Sequence, residues 1–454
     1  MTTPPNILFI QTDQLTALAL SSYGNSICKT PNLDKLAADG VVFVRAICNY
    51  PLCSPSRFSM LTGQLASQVG AFDNGCEFPA GQPTFVHYLR QMGYQTALSG
   101  KMHFVGPDQL HGYEERLTAD IYPADFQWTA SWGESETPDF VTDARIVTHA
   151  GPCANSVQIE YDNLVTFQAQ QKLTKIAQDK QSKTDERPFF LTVSYTHPHD
   201  PFLCSAEHYH RYDDVEIDLP SVPKLPNNQQ DPHSYRIMNN SGLLDGEFSE
   251  DQHRNARQGY YGAISYIDDQ VGQLLKTLKQ IKLDQNTVII FTSDHGEMLG
   301  ERGLWKKSHF FESALRVPLI MHGRNLPKGK RVSTLASLID LFPTILSMAN
   351  NGHLPDLIEP IEGADLTLYF DEEDDDRLIA AEYLGENALA PMLMVRQGDY
   401  KYLHSEGYLT MLFHVGDDPL ELNNLAGLGL PIEVELSAVI KQRWNSKELS
   451  QQIV

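Results

Sequence analysis

The residues with the clearest chemical pattern lie in the stretch NYPLCSPSRFSML, residues 49–61. Cys53 stands between two prolines, and Pro55 with the following SRFSML predicts a helix that opens beside the cysteine and ends at Gly63. The positive end of this helix then faces Cys53, with Arg57 one turn further on, which makes an anion site beside a nucleophile. The alternative is a packed free cysteine, the usual state of a lone one.

The motif C-S-P-S-R at 53–57 resembles the maturation signature of the type I sulfatases, whose cysteine is oxidised to formylglycine. The resemblance implies that Cys53 becomes formylglycine (3-oxoalanine) and that its hydrate, ionised by a metal ion, attacks the sulfur of a small-molecule sulfate ester. It implies that Arg57 holds the formylglycine oxygens. It also implies a partner, a formylglycine-generating maturase that acts on the unfolded segment.

The same resemblance implies a metal site. QTDQ supplies Asp13 and Gln14, and SDHGE supplies Asp294 and His295, which together with Cys53 are the predicted ligands. Hard oxygen ligands favour one Ca²⁺ ion, and the histidine leaves Mn²⁺ open. Many sulfatases have a second aspartate where this chain has Gln14, so the identity of the metal stays open. A lone aspartate at the end of a strand is more often a helix cap.

Sulfate binding and catalysis need further polar groups near the nucleophile. GKMHF, which is similar to the family's G-K-x-H segment, supplies Lys101 and His103. By the same resemblance, AFDNG supplies Asn74, which donates a hydrogen bond to the sulfate group. Histidine is the natural general acid near neutral pH. The resemblance therefore implies catalytic roles for Lys101 and His103 and a binding role for Asn74.

Two choices between neighbouring residues stay open. In THPHDP the family pattern, a histidine before x-Pro, favours His199 as the catalytic residue and leaves His197 as a structural partner. In GLWKKSHFF the position relative to the tryptophan favours Lys307 over Lys306. A lone pair of lysines is otherwise more typical of a solvated surface.

Longer stretches look like the bacterial choline sulfatases, a subfamily, from about residue 5 to 445: NYPLCSPSRFSMLTG, SGKMHFVGPDQLHGYEERLT, DIYPADFQWT and SYTHPHDPF. This resemblance implies hydrolysis of choline-O-sulfate, with Trp128 stacking on the trimethylammonium group and Glu386 neutralising its charge. A quaternary ammonium group cannot donate a hydrogen bond, so an aromatic face and a carboxylate are what can select it. Without the resemblance, a core tryptophan and a surface carboxylate are the simpler interpretations.

Two departures from the subfamily leave the substrate open. Segment 129–151 differs from the subfamily loop that lines the cation end of the pocket, and the chain ends at QRWNSKELSQQIV where the subfamily has a longer tail that joins subunits. An aryl or carbohydrate sulfatase, or a phosphonate or phosphate monoester hydrolase with the same nucleophile, is the alternative enzyme. A binding protein in which Cys53 is never converted is the non-enzymatic alternative. A homo-oligomer is left open.

The catalytic residues require a scaffold that brings distant segments together. Apolar runs such as NILFIQT, FFLTVSY and VPLIMHG alternate with helical segments, among them PNLDKLAADG, for which Thr30 is the predicted cap. This pattern predicts an α/β fold with a mostly parallel sheet between helices, and the resemblance implies an alkaline-phosphatase-like version of it. Polar residues such as Asp13 and Asp294 follow strands, where the ligands of such sheets gather.

The pattern changes near residue 366, where hairpin-like strands MLMVRQGDYKYLH and LTMLFHV follow an acidic run that we interpret as a solvated loop. We therefore predict a catalytic domain over 1–365 and a smaller α+β subdomain with antiparallel strands over 366–454.

Composition excludes several classes of partner. The 454 residues carry 58 acidic and 35 basic side chains, a net charge of −23, which argues against nucleic acid or an anionic membrane surface as a partner. The six cysteines form no CxxC pair, so a disulfide framework is not expected. No signal sequence and no apolar run of about 20 residues is present, so the sequence predicts a cytoplasmic protein.

Overall fold

The computed structural model describes residues 4–122, 143–244, 248–445 and 447–449. Trp128 and most of segment 129–151 lie outside the described residues, so their predicted contribution to a cation pocket stays a prediction. Within the described ranges, no helix has both the length and the apolar character that a membrane span requires.

The strands of the described residues are numbered in chain order: β1 (Asn6–Thr12), β2 (Val41–Phe43), β3 (Ala46–Ile47), β4 (Gln95–Gly100), β5 (Glu115–Arg116), β6 (Gly151–Cys153), β7 (Phe189–Ser194), β8 (Leu203–Ser205), β9 (Thr287–Ser293), β10 (Leu319–His322), β11 (Lys330–Val332), β12 (Ala336–Ser337), β13 (Leu378–Tyr383), β14 (Met392–Gln397), β15 (Tyr400–Ser405) and β16 (Leu409–His414). The helices are α1 (Pro31–Ala38), α2 (Cys53–Thr62), α3 (Phe85–Gln91), α4 (Val157–Ser182), α5 (Ala206–Tyr209), α6 (Pro232–Asn240), α7 (Glu250–Gln280), α8 (Glu312–Leu315), α9 (Leu341–Ala349) and α10 (Pro431–Arg443).

The main sheet has eight strands in the order β11-β2-β10-β9-β1-β7-β4-β5. β1 pairs in parallel with β7 and β9, and β4 pairs in parallel with β7 and β5. All residues of β1, β4, β7 and β9 are buried, so both faces of the sheet are covered, as apolar strands of this kind require. The predicted α/β fold with a mostly parallel sheet is confirmed.

Several predicted elements differ in detail from the structure. The apolar run VVFVRAI at 41–47 has the pattern of a single strand, yet it forms β2 and β3, which belong to two different sheets. β10 runs antiparallel to both of its neighbours, β9 and β2. The helical periodicity of the sequence is clear from residue 260, but helix α7 already begins at Glu250, where the Ser249 hydroxyl caps it. Thr30 makes no side-chain cap at α1, which contradicts the predicted role.

The C-terminal region forms a second, four-stranded sheet in the order β13-β14-β15-β16, antiparallel throughout. The predicted hairpin strands correspond to β14, β15 and β16, and helix α10 packs against β14 and β15. Strand β13 forms one edge of this sheet, beside β14. The domain boundary between residues 365 and 366 stays a prediction.

The main sheet positions the chemically important residues at the carboxyl ends of its central strands. Asp13 follows β1, Lys101 follows β4, His199 lies just beyond β7, and Asp294 follows β9. These four strands are neighbours in the order β9-β1-β7-β4. Their carboxyl ends therefore gather residues that are up to 281 positions apart in the chain.

Candidate active site

Helix α2 presents Cys53 at its first turn. The helix begins at Cys53 itself, after Leu52 in an extended conformation, and ends at Thr62, where Gly63 adopts a φ of 68° and donates its N–H to the Ser59 carbonyl. A left-handed φ at this position favours glycine, which explains the predicted stop. Every residue of α2 is buried, so the helix is part of the core and not a surface element.

Four side chains form a compact cluster beside the carboxyl ends of β1 and β9. One ligand atom from each of Asp13, Cys53, Asp294 and His295 lies within 4.8 Å of the others, and all four residues are buried. The Cys53 sulfur lies 3.3 Å from His295 Nε2 and 3.7 Å from Asp13 Oδ1. His295 Nε2 lies 3.8 Å from Asp13 Oδ1 and 3.7 Å from Asp294 Oδ1.

These spacings fit a divalent ion. Ligands bonded at about 2.3 to 2.6 Å around one ion lie roughly 3.3 to 3.7 Å from each other, close to the separations in the cluster. Two buried carboxylates so near each other need positive charge to offset their repulsion. The donor set of two carboxylates, one imidazole and position 53 therefore suits a hard or borderline divalent metal ion.

Arg57 supplies part of that positive charge. Its guanidinium lies 2.9 Å from Asp294 Oδ2 and 3.4 Å from Asp13 Oδ2, and it also donates to the Lys101 carbonyl at 2.7 Å and to Ser194 Oγ at 2.9 Å. The described contacts of Arg57 are thus with the two carboxylates and with neighbouring strand ends. Its predicted contact with formylglycine oxygens stays a prediction.

The electrostatic surroundings of Cys53 favour an anion. Burial raises the pKa of the Cys53 thiol, but the charges of Lys101, Lys307 and His295 and a hydrogen bond from His103 outweigh burial and hold the pKa well below its usual value. The Lys101 ammonium forms a short ion pair with Asp13 Oδ2. The same cations would stabilise a negatively charged oxygen at this position.

His103 and Asn74 flank the cysteine. The His103 side chain hydrogen-bonds with Cys53, and its ring stacks on Tyr122 with 5.3 Å between the ring centroids. Asn74 Oδ1 accepts the Ser54 N–H at 3.0 Å, one of the first N–H groups of α2. Both residues line the same cavity as Cys53, which is where their predicted roles require them.

The two histidines of THPHDP have different environments. His197 is fully buried, and its ring nitrogens contact Asp162 Oδ2 at 2.6 Å and the Leu203 carbonyl at 3.1 Å. His199 instead lines the cavity with Cys53, and its Nε2 lies 3.0 Å from Lys307 Nζ. This geometry favours His199 for catalysis and a structural role for His197.

The neighbouring lysines are also distinguished by their contacts. Lys307 Nζ donates to Gln14 Oε1 at 2.6 Å and lies beside His199, whereas Lys306 Nζ pairs with Asp200 Oδ2 at 3.3 Å. Burial lowers the pKa of Lys307, but the negative charges of Cys53, Asp13 and Asp200 outweigh burial and raise it, so the group is an ammonium. Of the two neighbouring lysines, Lys307 is therefore the one whose charge acts on Cys53 and Asp13.

The same cavity is lined by Glu386, which follows β13 in the C-terminal sheet. Burial raises the pKa of its carboxyl, the positive charge of Lys307 lowers it and Asp73 raises it, and the result is a pKa of about 7. The cavity thus combines cations that act on Cys53 with a titratable carboxyl. Trp128, the other predicted contact of a choline group, lies outside the described residues.

Three residues of the site were not singled out from the sequence. Tyr122 lines the cavity, with Lys101 Nζ 4.2 Å from the centre of its ring. Asp200 Oδ1 lies 3.2 Å from His199 Nδ1, and Glu297 is a fully buried carboxylate. All three lie inside the quoted motifs DIYPADF, HDP and SDHGE, and this position in the sequence is the signal that could have identified them.

Comparison with known proteins gives the context for this geometry. The family model described as "Sulfatase" matches residues 5–351. The choline-sulfatase of Rhizobium meliloti (strain 1021) is 41% identical over 424 residues, which cover 93% of this chain and 82% of that protein. The iduronate 2-sulfatase of Homo sapiens is 30% identical over 389 residues, covering 76% of this chain and 68% of that protein.

Solved structures show the same fold at lower identity. The phosphonate monoester hydrolase of Silicibacter pomeroyi superposes with a TM-score of 0.77 at 24% identity, covering 97% of this chain and 94% of that chain. The phosphonate monoester hydrolase of Agrobacterium radiobacter has a TM-score of 0.75 at 24% identity, covering 99% and 96% of the two chains. The family match, the relatives and the buried cluster around Cys53 agree, and the chain belongs to the sulfatase family.

Proposed function

We propose that this chain hydrolyses sulfate esters, with choline-O-sulfate as its substrate and choline and sulfate as products. The observation that carries the proposal is the 41% identity to a choline-sulfatase over 93% of the chain, joined to a cavity that contains Cys53, Lys307 and Glu386. The cations of this site suit a sulfate group, and the Glu386 carboxyl suits a trimethylammonium group.

Asp13, Asp294 and His295, together with residue 53, would hold one divalent metal ion, and Ca²⁺ is our proposal because two ligands are carboxylates. The further predicted ligand, Gln14, stays a prediction, since its side-chain oxygen accepts from Lys307 in this structure. With the metal bound and Cys53 converted to formylglycine, these groups would supply an ionised oxygen nucleophile for attack on sulfur. Arg57 contributes by holding both carboxylates in place and offsetting their charge.

The sulfate group is bound by the cations that surround position 53. Lys101 and Lys307 carry the charge that attracts a sulfate monoanion, and both act on Cys53 electrostatically in the free protein. Asn74 uses its oxygen for the Ser54 N–H, so its amide nitrogen is the donor that suits a sulfate oxygen. His103 hydrogen-bonds the group at position 53 and is placed to accept its proton.

The leaving group needs a proton, and His199 and Lys307 form the pair that delivers it. Lys307 is an ammonium, so His199 Nε2 is the acceptor of their 3.0 Å contact and the histidine carries its proton on Nδ1. That Nδ1–H points to Asp200, whose carbonyl oxygen lies 3.0 Å away. Both side chains line the cavity with Cys53, and we assign protonation of the leaving ester oxygen to this pair.

The proposal includes a formylglycine-generating maturase as a partner, because formylglycine is not a genetically encoded residue and the C-S-P-S-R motif is intact. It places the choline group between Glu386 and Trp128, the latter as a prediction from the subfamily resemblance. The cytoplasmic location and a homo-oligomeric state stay predictions.

The decisive experiment compares substrates with protein that has been co-expressed with a maturase and loaded with Ca²⁺. Sulfate release is measured from choline-O-sulfate and 4-nitrophenyl sulfate, and 4-nitrophenol release from a 4-nitrophenyl phosphonate monoester. We expect kcat/KM to be highest for choline-O-sulfate. A higher kcat/KM for the aryl sulfate or for the phosphonate would assign the chain to one of the alternative hydrolases.

The nucleophile is tested by Cys53→Ala, with Cys153→Ala as the matched control. Cys53 is buried in the ligand cluster, whereas Cys153 is partly exposed in β6, away from it. We expect Cys53→Ala to abolish sulfate release while the thermal midpoint changes little, and Cys153→Ala to keep full activity. Full activity of Cys53→Ala would end the formylglycine mechanism.

A further inference from the structure

Glu297 is a buried carboxylate whose hydrogen-bond partners are all neutral. Its side chain accepts the N–H groups of Leu299 at 2.9 Å and Lys306 at 2.6 Å on Oε1, and the Gln14 amide at 2.5 Å on Oε2. The ion pairs formed by the described residues do not include Glu297. Burial of a carboxylate without an ionic partner costs free energy, and a neutral side chain at this position would avoid that cost. The contacts of Glu297 therefore call for an explanation other than stability.

The carboxylate fixes the orientation of the Gln14 amide. Gln14 Nε2 donates to Glu297 Oε2 and, at 3.3 Å, to Asp200 Oδ1, while its Oε1 accepts from Lys307 Nζ at 2.6 Å. The reversed amide would place an oxygen against two carboxylates and N–H groups against an ammonium. Glu297 and Asp200 therefore direct the Gln14 oxygen towards Lys307.

Glu297 also supports the backbone that carries this lysine. Lys306 and Ser308, on either side of Lys307, have φ angles of 68° and 75°, a region that non-glycine residues rarely adopt. The Lys306 N–H donates to Glu297, and the Lys306 carbonyl accepts the Met298 N–H at 2.7 Å. Glu297 and Met298 thus hold the strained backbone around Lys307 through these two hydrogen bonds.

We propose that Glu297 is a positioning residue for catalysis: it orients Gln14 and the Lys306 backbone so that the Lys307 ammonium points into the cavity beside Cys53. The inference rests on the proposed function, since it assigns Lys307 to the sulfate end of the substrate. It gives Gln14 a defined purpose, as the acceptor that holds the ammonium against His199 Nε2.

The test is Glu297→Gln. The two backbone N–H groups share Oε1, so the glutamine oxygen can keep both bonds, and only the atom that faces Gln14 changes from acceptor to donor. Two amide nitrogens would then face each other, and the Gln14 amide would turn away from Lys307. We expect kcat/KM to fall at least about tenfold for choline-O-sulfate and for 4-nitrophenyl sulfate alike, because both esters share the sulfate end.

A swapped double variant separates positioning from general damage. In Glu297→Gln with Gln14→Glu, the new amide at 297 donates to the new carboxylate at 14, which again presents an oxygen to Lys307. We expect kcat/KM to recover several-fold over Glu297→Gln, although Asp200 repels the new carboxylate. The thermal midpoint and the Ca²⁺ content by elemental analysis should stay near wild type in the single variant.

The outcomes distinguish the two proposals. If wild type hydrolyses neither ester, the proposed function fails. If wild type is active and Glu297→Gln is equally active, or if the double variant is no better than the single one, the positioning role of Glu297 is wrong. A loss confined to choline-O-sulfate would also overturn it, because the effect would then lie at the cation end.

Discussion

At the scale of single residues, Glu386 determines how the cavity should respond to pH. Its pKa of about 7, which burial raises above the usual value, means that the carboxyl is neutral below that pH and charged above it. Only the charged form attracts a trimethylammonium group. The KM for choline-O-sulfate should therefore fall as the pH rises from about 6 to about 8.

Glu386→Gln should remove that pH dependence and raise the KM about tenfold at pH 8, equivalent to roughly 1.4 kcal/mol of lost attraction. The KM for 4-nitrophenyl sulfate, whose leaving group carries no cation, is the control and should be nearly the same in both proteins. Michaelis constants measured across this pH range for both esters check the prediction. A wild-type KM for choline-O-sulfate that is flat across the range would contradict it.

Single residues were predictable from the sequence where a motif carries them. Cys53, His199 and Lys307 line one cavity and Lys101 acts on Cys53 through its charge, while the catalytic roles that the resemblance implies for them stay predictions. The partners of Gln14 were not predictable, because its three contacts come from segments 186 to 293 positions away along the chain. A sequence names a side chain that can bind metal, but only the fold shows that this amide oxygen accepts from a lysine.

At the scale of elements, the ends of strands β1 and β9 hold the two carboxylates of the cluster. Asp294 Oδ1 accepts the N–H groups of Gln14 and His295, at 3.0 and 2.9 Å, and so ties the two strand ends together. Asp294→Asn keeps the shape but removes the charge that a divalent ion requires. We expect metal affinity to fall at least about tenfold, measured as Ca²⁺ content after dialysis against limiting metal.

The matched control is Asp268→Asn on α7, a buried carboxylate outside the cluster. Asp268 accepts the N–H groups of Asn32 and Leu33 at 3.1 and 2.8 Å, at the start of α1. This variant should keep stoichiometric Ca²⁺ and lose about 1 kcal/mol of stability from the weakened cap. Stoichiometric metal in Asp294→Asn under the same dialysis would refute the ligand assignment.

The start of α1 also shows what local patterns cannot reveal. Thr30 has the residue type and position of a helix cap, yet its hydroxyl donates to Asp34 and the helix N–H groups are capped by Asp268. The preference of threonine for this position is real but small, about 1 kcal/mol. A carboxylate brought in by α7, more than 230 positions along the chain, displaces it.

At the scale of the whole molecule, the alternation of apolar runs and helices was sufficient to predict the main sheet and the antiparallel C-terminal strands. The reversed direction of β10 was not predictable, since an apolar run looks the same in either direction. Nor did the sequence reveal what joins the two sheets. That junction includes a buried group of charges.

The group is centred on Glu312 in α8. Its carboxylate contacts Arg396 of β14 at 3.0 Å and Lys401 of β15 at 2.9 Å, and Lys401 also pairs closely with Glu421. All four side chains are at most 6% exposed. Burial raises the pKa of Glu312, but Arg396 and Lys401 outweigh burial and hold it well below its usual value, so the carboxylate stays charged.

Lys401→Met therefore leaves two buried carboxylates with one guanidinium between the main sheet and the C-terminal sheet. We expect the free energy of unfolding to fall by about 3 to 5 kcal/mol, because removal of one partner from a buried ion pair leaves the other as an uncompensated buried charge. Thermal unfolding monitored by circular dichroism should show a midpoint several degrees lower. The control is Lys175→Met, which removes a solvent-exposed pair with Asp179, and its midpoint should barely move. Equal midpoints for the two variants would mean that the charges between the sheets contribute no more than a surface pair.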